Sequence, residues 1–268
     1  MAELSHFLQS VKLPVMPEVA TALIRTLTDE DADVPMVRDI IAKDPALTAT
    51  LLRMANSAIF GLSRSVTSLD KAVSVVGMTQ IRARALSICL ANAFALPQSL
   101  NRLEFWRNSM ACAGYAKWLA GSIGMDEQQA WLTGMMLRLG EIVIGQHEVA
   151  MIDQIEMRPC LPGERWTRER DIAGFDEGQI MAEVARHWDF PDSVSGALGC
   201  ASQPMESSDF SALGAVIHLA SLLADQTNPG AQAFQTLTPA VVLKLQLDLE
   251  KLQNQMPDPH SFADTSFV

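Results

Sequence analysis

The chain has 268 residues, 49% of them apolar and 19% charged, a composition that supports a folded core and excludes a disordered polymer. Its formal net charge of −11 argues against general nucleic-acid binding, because a phosphate backbone calls for basic surface. No apolar run approaches the ~18–20 residues that cross a bilayer. The opening Met-Ala-Glu-Leu-Ser-His lacks the basic region and apolar core of a secretory signal, so the expected location is the cytoplasm.

The charge is unevenly spread. Residues 1–150 hold 13 Lys+Arg against 14 Asp+Glu, whereas residues 151–268 hold 7 against 17. One stretch runs against this trend: between residues 51 and 90, Arg53, Arg64, Lys71, Arg82 and Arg84 accompany a single acid, Asp70. It reads either as an anion-binding or partner-facing patch or as solvated helix ends. Cys89, Cys112, Cys160 and Cys200 are far apart with no C-x-x-C spacing, which points to buried reduced thiols and to neither a disulfide frame nor a zinc site.

Nearly every segment has helical period. Pro17 opens a helix with Val19, Leu23 and Leu27 on its apolar face, and a short helix follows Pro35. Asp44 then reads as an N-cap and Pro45 as the first helical residue. Leu47, Leu51, Met54, Ala55 and Ile59 form the stripe of that helix, and Gly61 is its expected stop. Asn56 and Ser57 stand out as polar residues in an apolar turn, placed to bond a neighbouring loop at 63–67. Ser68 caps the next helix, Gly77 ends it, and a long apolar helix runs from Thr79 to Phe94.

A second group begins near Asn101. Expected helices run from there to Gly124, from Asp126 through Ile144, and over 148–157, 164–172, 176–188, 191–201, 210–224 and 239–255. This pattern predicts an all-α fold of two packed lobes, residues 1–98 and 99–256, with a tail at 257–268. No H-E-x-x-H, glycine-rich phosphate loop or G-x-S-x-G is present. The five histidines are scattered, and His218 on an apolar helix reads as a satisfied core residue.

Leu13-Pro-Val-Met-Pro17-Glu18-Val19-Ala20 resembles the L-P-x-L-P-x-V-A opening of the HDOD family, the HD-related output domains of bacterial signalling proteins. Residues 44–61 are similar to that family's most distinctive segment, which makes Asp44, Pro45, Asn56, Ser57 and Gly61 its structural signature here. Val66-Thr67-Ser68-Leu69, Ala72-Val73 and Val76-Gly77-Met78 continue the match.

The resemblance implies an HD-phosphohydrolase-like C-terminal lobe. In catalytic HD relatives one helix reads G-L-L-H-D-I-G, with its His and Asp bound to metal. The same frame here is Gly134-Met135-Met136-Leu137-Arg138-Leu139-Gly140, so Leu137 stands for the His and Arg138 for the Asp. Asn108 stands for another His, Glu177 where a His is common, and Gly199 to Pro204 where a double His often sits. Ser221, three residues after His218, replaces the usual Asp.

The expected site is therefore a vestigial pocket of Asn108, Leu137, Arg138, Glu177 and Ser221, with no catalytic residue, metal or cofactor. The resemblance implies a non-enzymatic signalling module acting through other signalling proteins. Two alternatives stand beside it: a sensor that binds an anionic nucleotide through Arg138, and a metal-dependent phosphohydrolase.

Overall fold

The computed structural model describes residues 2–11, 13–27, 29, 31–56, 65–207, 209–226, 231–258 and 262. Among them all regular structure is helical. In chain order come α1 (Ala2–Ser10), α2 (Glu18–Arg25), α3 (Val34–Ala42), α4 (Pro45–Ala55), α5 (Leu69–Val76) and α6 (Met78–Ala93). The C-terminal part supplies α7 (Arg102–Ser122), α8 (Glu127–Leu137), α9 (Leu139–His147), α10 (Val149–Ile155), α11 (Glu164–Ala173) and α12 (Glu177–His187). It continues with α13 (Asp192–Cys200), α14 (Ala212–Ala224), a 3-10 turn at Ala231–Thr236, α15 (Pro239–Lys244) and α16 (Leu249–Asn254).

Short polar residues set the helix starts. Asp33, Asp44, Ser68, Asn101, Asp126, Asp176 and Ser211 each accept a backbone N–H of the first turn of the helix they precede, which satisfies donors that the helix itself cannot. Asp176 adds a reciprocal bond from its own N–H to Gln179, a full capping box. Asp44 accepts from both Ala46 and Leu47, with Pro45 at the first helical position.

Three helix ends differ from the sequence expectation, each for a local reason. The signature helix ends at Ala55, well before Gly61. Its C-cap Asn56 bonds back to the Leu52 carbonyl at 2.7 Å and spans to Val66, donating to its carbonyl and accepting its N–H, both at 2.7 Å. Ser57 and Gly61 lie outside the described residues. The helix expected from Asp126 through Ile144 divides at Arg138, and the one expected over 239–255 divides around Gln246, whose φ of 54° is left-handed. A helix cannot pass through that conformation.

α2 to α5 pack around α6, which also lies against α8 of the C-terminal lobe. The central frame of that lobe is α7 packed on α8 and α14, with α12 and α13 beside them. One apolar core runs through both lobes. α1 crosses over as well: the Phe7 ring packs 5.0 Å from His147 and 5.1 Å from Phe175. No single helix among the described residues is long and apolar enough to cross a membrane; α5 and α6 pass that test only as a pair bent by 116°.

Two arginines of the basic stretch at residues 51–90 are engaged within the fold, and Arg64 lies outside the described residues. Arg82 donates to the Thr26 carbonyl at 2.6 Å, and the Arg84 guanidinium stacks 3.8 Å above the Trp131 ring. The four thiols are free, but only Cys89 and Cys112 are buried; Cys160 and Cys200 are half-buried.

Candidate functional site

The helices that begin or end near the centre of the C-terminal lobe bring an ionic cluster together. α8 stops at Leu137 and α9 starts at Leu139, which leaves Arg138 at the corner. The corner is possible because residue 140 is glycine: a Cβ there would lie 2.0 Å from the Glu177 carbonyl oxygen. The starts of α9 and α12 therefore touch backbone to backbone, and Arg138 and Glu177 are delivered from opposite sides.

Two buried guanidinium groups organise the cluster. Arg138 donates from Nε to Glu141 at 2.9 Å and from an Nη to Glu156 at 2.7 Å. Arg165, from α11, donates to Glu177 Oε1 at 3.0 Å and to Asp225 Oδ1 at 2.9 Å. Glu177 Oε1 also accepts the Trp166 indole N–H at 2.8 Å, and its backbone N–H donates to Glu169 at 2.8 Å. Asp225 accepts from Asn108 at 3.3 Å and, through Oδ2, from the Gly163 N–H at 3.2 Å. Glu141, Glu169 and Glu177 are fully inaccessible, and both arginines are 5% exposed.

Burial of this kind is costly unless charges are paired, and the titration of the groups follows. Burial works against charging Asp225, but the Arg165 guanidinium outweighs it and holds the carboxyl below its usual range. Glu156 is likewise lowered, with Arg138 overcoming desolvation. Glu169 goes the other way: burial, reinforced by the charge of Glu177, raises it well above the usual range. Burial also pushes Glu141 up to about 7, against the pull of Arg138. Glu169 Oε1 lies 3.8 Å from Arg165 Nε and has no hydrogen-bond partner among the described residues.

Of the five residues expected in the pocket, the structure joins three to this cluster. Asn108 binds the Ala224 carbonyl and Asp225, Glu177 holds Arg165, and Arg138 forms the adjoining arm. Leu137 packs beside Gly178 in the apolar core. Ser221 is buried on α14, but the acidic side chain that reaches the cluster from this region is Asp225, one turn later at the helix end. Arg165, Trp166, Glu169, Glu141 and Glu156 complete it; their sequence signal was only an acid three residues after Arg138 and an arginine four before Glu169. His218 is a satisfied core residue: its ring nitrogens lie 2.8 Å from the Ala201 carbonyl and 2.7 Å from the Thr238 hydroxyl, and the ring stacks on Trp166.

This donor set does not fit the divalent metal of an HD phosphohydrolase. A metal needs oxygen or imidazole lone pairs directed inward. Here the oxygens of Glu177 and Asp225 face the N–H groups of Arg165, Trp166, Gly163 and Asn108. A guanidinium already supplies the positive charge between the two acids. No group of three His, Cys, Asp or Glu side chains among the described residues is arranged to hold a metal.

Fold and cluster together define an all-helical domain with a buried arginine–carboxylate cluster in its C-terminal part. The chain belongs to the HDOD domain family, whose sequence model matches residues 13–204. It is similar in fold to a protein of Shewanella amazonensis SB2B provisionally named a phosphohydrolase, at 23% identity and a TM-score of 0.81, over 98% of this chain and 96% of that one. An HDOD domain protein of unknown function from Geobacter sulfurreducens matches at 18% identity and a TM-score of 0.77, over 100% and 98%. A protein of Marinobacter aquaeolei VT8 provisionally named a signal transduction protein matches at 23% identity and a TM-score of 0.76, over 94% of this chain and 58% of that one. In sequence, an uncharacterized protein of Treponema pallidum (strain Nichols) is 23% identical over 189 residues, and the chain covers 36% of its length.

Proposed function

We propose that this chain is a non-enzymatic signal-transduction module of the bacterial cytoplasm that works by binding other signalling proteins. The observation that carries the reading is Arg165: buried, within 3.0 Å of Glu177 and 2.9 Å of Asp225, it supplies the positive charge between these two acids. A guanidinium cannot polarise a phosphate as a Lewis acid or lower the pKa of a bound water, so the cluster is a structural keystone. Four free thiols agree with a reducing compartment. The Marinobacter relative lends the signalling role its support, and the Shewanella relative keeps phosphate hydrolysis as the reading to be tested against. Arg138, on which an anion sensor would depend, is turned into Glu141 and Glu156.

The test is hydrolysis of p-nitrophenyl phosphate and bis-p-nitrophenyl phosphate with Mn2+ supplied. The wild-type chain should show no turnover above that of Glu177→Gln. Turnover that disappears in Glu177→Gln would establish an enzyme and end this reading.

A further inference from the structure

The ionic cluster carries more acids than cations. Glu141, Glu156, Glu169, Glu177 and Asp225 share the guanidinium groups of Arg138 and Arg165, and buried charge without a counter-charge is costly. On the Arg138 arm one guanidinium serves two carboxyls, Glu141 at 2.9 Å and Glu156 at 2.7 Å. The two acids differ in freedom. Glu141 is inaccessible on α9, and its Oε1 meets no hydrogen-bond donor among the described residues. Glu156 follows the last residue of α10 and keeps 22% of its side chain exposed. It also has a second cation in reach, since its Oε2 lies 3.9 Å from Arg158. Arg158 is in turn held 2.7 Å from Glu104 on α7. Arg138, Glu156, Arg158 and Glu104 thus form a chain of charges from the core to the surface.

We propose that this chain of charges is a proton-operated latch: a proton on Glu141 keeps Glu156 on Arg138, and its loss to solvent passes Glu156 to Arg158, which releases Glu104 and resets the surface between α7 and the turn after α10. The proton has a place. Glu141 can donate it to the Glu156 carboxylate, a bond that helps to keep Glu156 ionised against burial, after the larger pull of Arg138 and Arg165. Without the proton, two carboxylates face one guanidinium, and like charges that share a site disfavour ionisation of both. Glu141 cannot leave, because α9 packs on α12 with the Gly140 backbone against the Glu177 carbonyl. Glu156 can, toward water and Arg158. The charged groups that face Glu141 are Arg138 at the α8–α9 corner, Glu156 at the end of α10, Arg165 and Glu169 from α11, and Glu177 from α12. Burial, partly offset by Arg138, raises Glu141 to about 7, which sets the exchange near neutral pH.

Met157 stands between Glu156 and Arg158 and is 60% exposed, so its methyl group reports which pairing holds. The 268-residue chain, labelled with carbon-13 at its methionine methyls, is titrated by NMR from about pH 5.5 to about pH 8.5, and the Met157 signal is assigned through Met157→Leu. In the wild type that signal should move in one step with its midpoint at about 7. Glu141→Gln, which cannot lose a proton, should hold the signal at its low-pH position throughout. Glu156→Gln, which feels no repulsion from an ionised Glu141, should also lack the step. Arg158→Gln removes the second cation and should lose most of the step's amplitude. Circular dichroism confirms that each variant keeps its helices; if Glu141→Gln does not, the two partly exposed positions carry the test. A wild-type signal that does not move overturns the latch. So does a step that survives undiminished in Glu141→Gln or Glu156→Gln, since a histidine would then be its source, or one undiminished in Arg158→Gln, since Glu156 would then not pass to that cation.

Discussion

Asn56 shows how much one side chain can decide. Its amide meets both backbone groups of Val66, ten residues on, and the carbonyl of Leu52 as well. No backbone ladder is available to Val66 at that point, so the side chain replaces one. Asn56→Ala should cost about 2 kcal/mol, since each of the two bonds to Val66 contributes roughly 1 kcal/mol net. For a chain of this size that is a fall in Tm of about 4–8 °C, read by differential scanning calorimetry. The clamp was legible in sequence as an oddly polar turn, because Asn and its loop are close along the chain. Arg165 was not: its partner Asp225 lies 60 residues on, and no period or spacing encodes contact across α7, α11, α12 and α14.

Glu141 makes the cluster pH-dependent, with a definite sign. An ordinary glutamate releases its proton near 4.5, whereas burial raises Glu141 to about 7 in the folded chain. Between those values the folded state binds more protons than the unfolded state, so stability falls as pH rises. The contribution is complete below about 4.5 and lost as pH passes about 7. Glu156 and Asp225 are lowered, and their contribution is lost only at pH below the usual carboxylate range. The wild-type Tm should therefore decline from about pH 5.5 to about pH 8. Glu141→Gln, which cannot ionise, should lessen that decline, with the raised Glu169 supplying the remainder, and thermal melts across the range would show it.

At the scale of elements, the informative feature is the break between α8 and α9. Helical period ran through it in the sequence, because Leu139, Ile142 and Val143 continue the apolar positions of α8. Tertiary packing decides otherwise: the chain breaks at Arg138, and Gly140 just beyond it packs on the Glu177 carbonyl so closely that a Cβ would clash. Local propensity is a weak term against such packing. Gly140→Ala should destabilise the chain by about 3 kcal/mol or more, as overpacking against a fixed backbone does. Gly196, inside α13 with nothing within 4 Å of a built Cβ, provides the opposite case. Gly196→Ala should stabilise by about 0.5–1 kcal/mol, and urea unfolding of both variants would check the pair of signs. The α15 to α16 break at Gln246 also escaped the sequence, since a left-handed glutamine leaves no compositional mark.

For the whole molecule, the all-helical class and the family were legible because period and motif are local. α6 packs on α2 to α5 and on α8, and α1 reaches across to His147 and Phe175, so the described residues share one continuous core. Within it, Arg138 and Arg165 hold the buried acids of the cluster. That these guanidinium groups leave no room for a metal is the central proposal, and metal content tests it most directly. The purified 268-residue chain is dialysed against Mn2+, freed of unbound ion, and measured by inductively coupled plasma mass spectrometry beside Asp225→Asn. The account predicts substoichiometric manganese, the same in both proteins; one equivalent in the wild type that is lost in Asp225→Asn would contradict it.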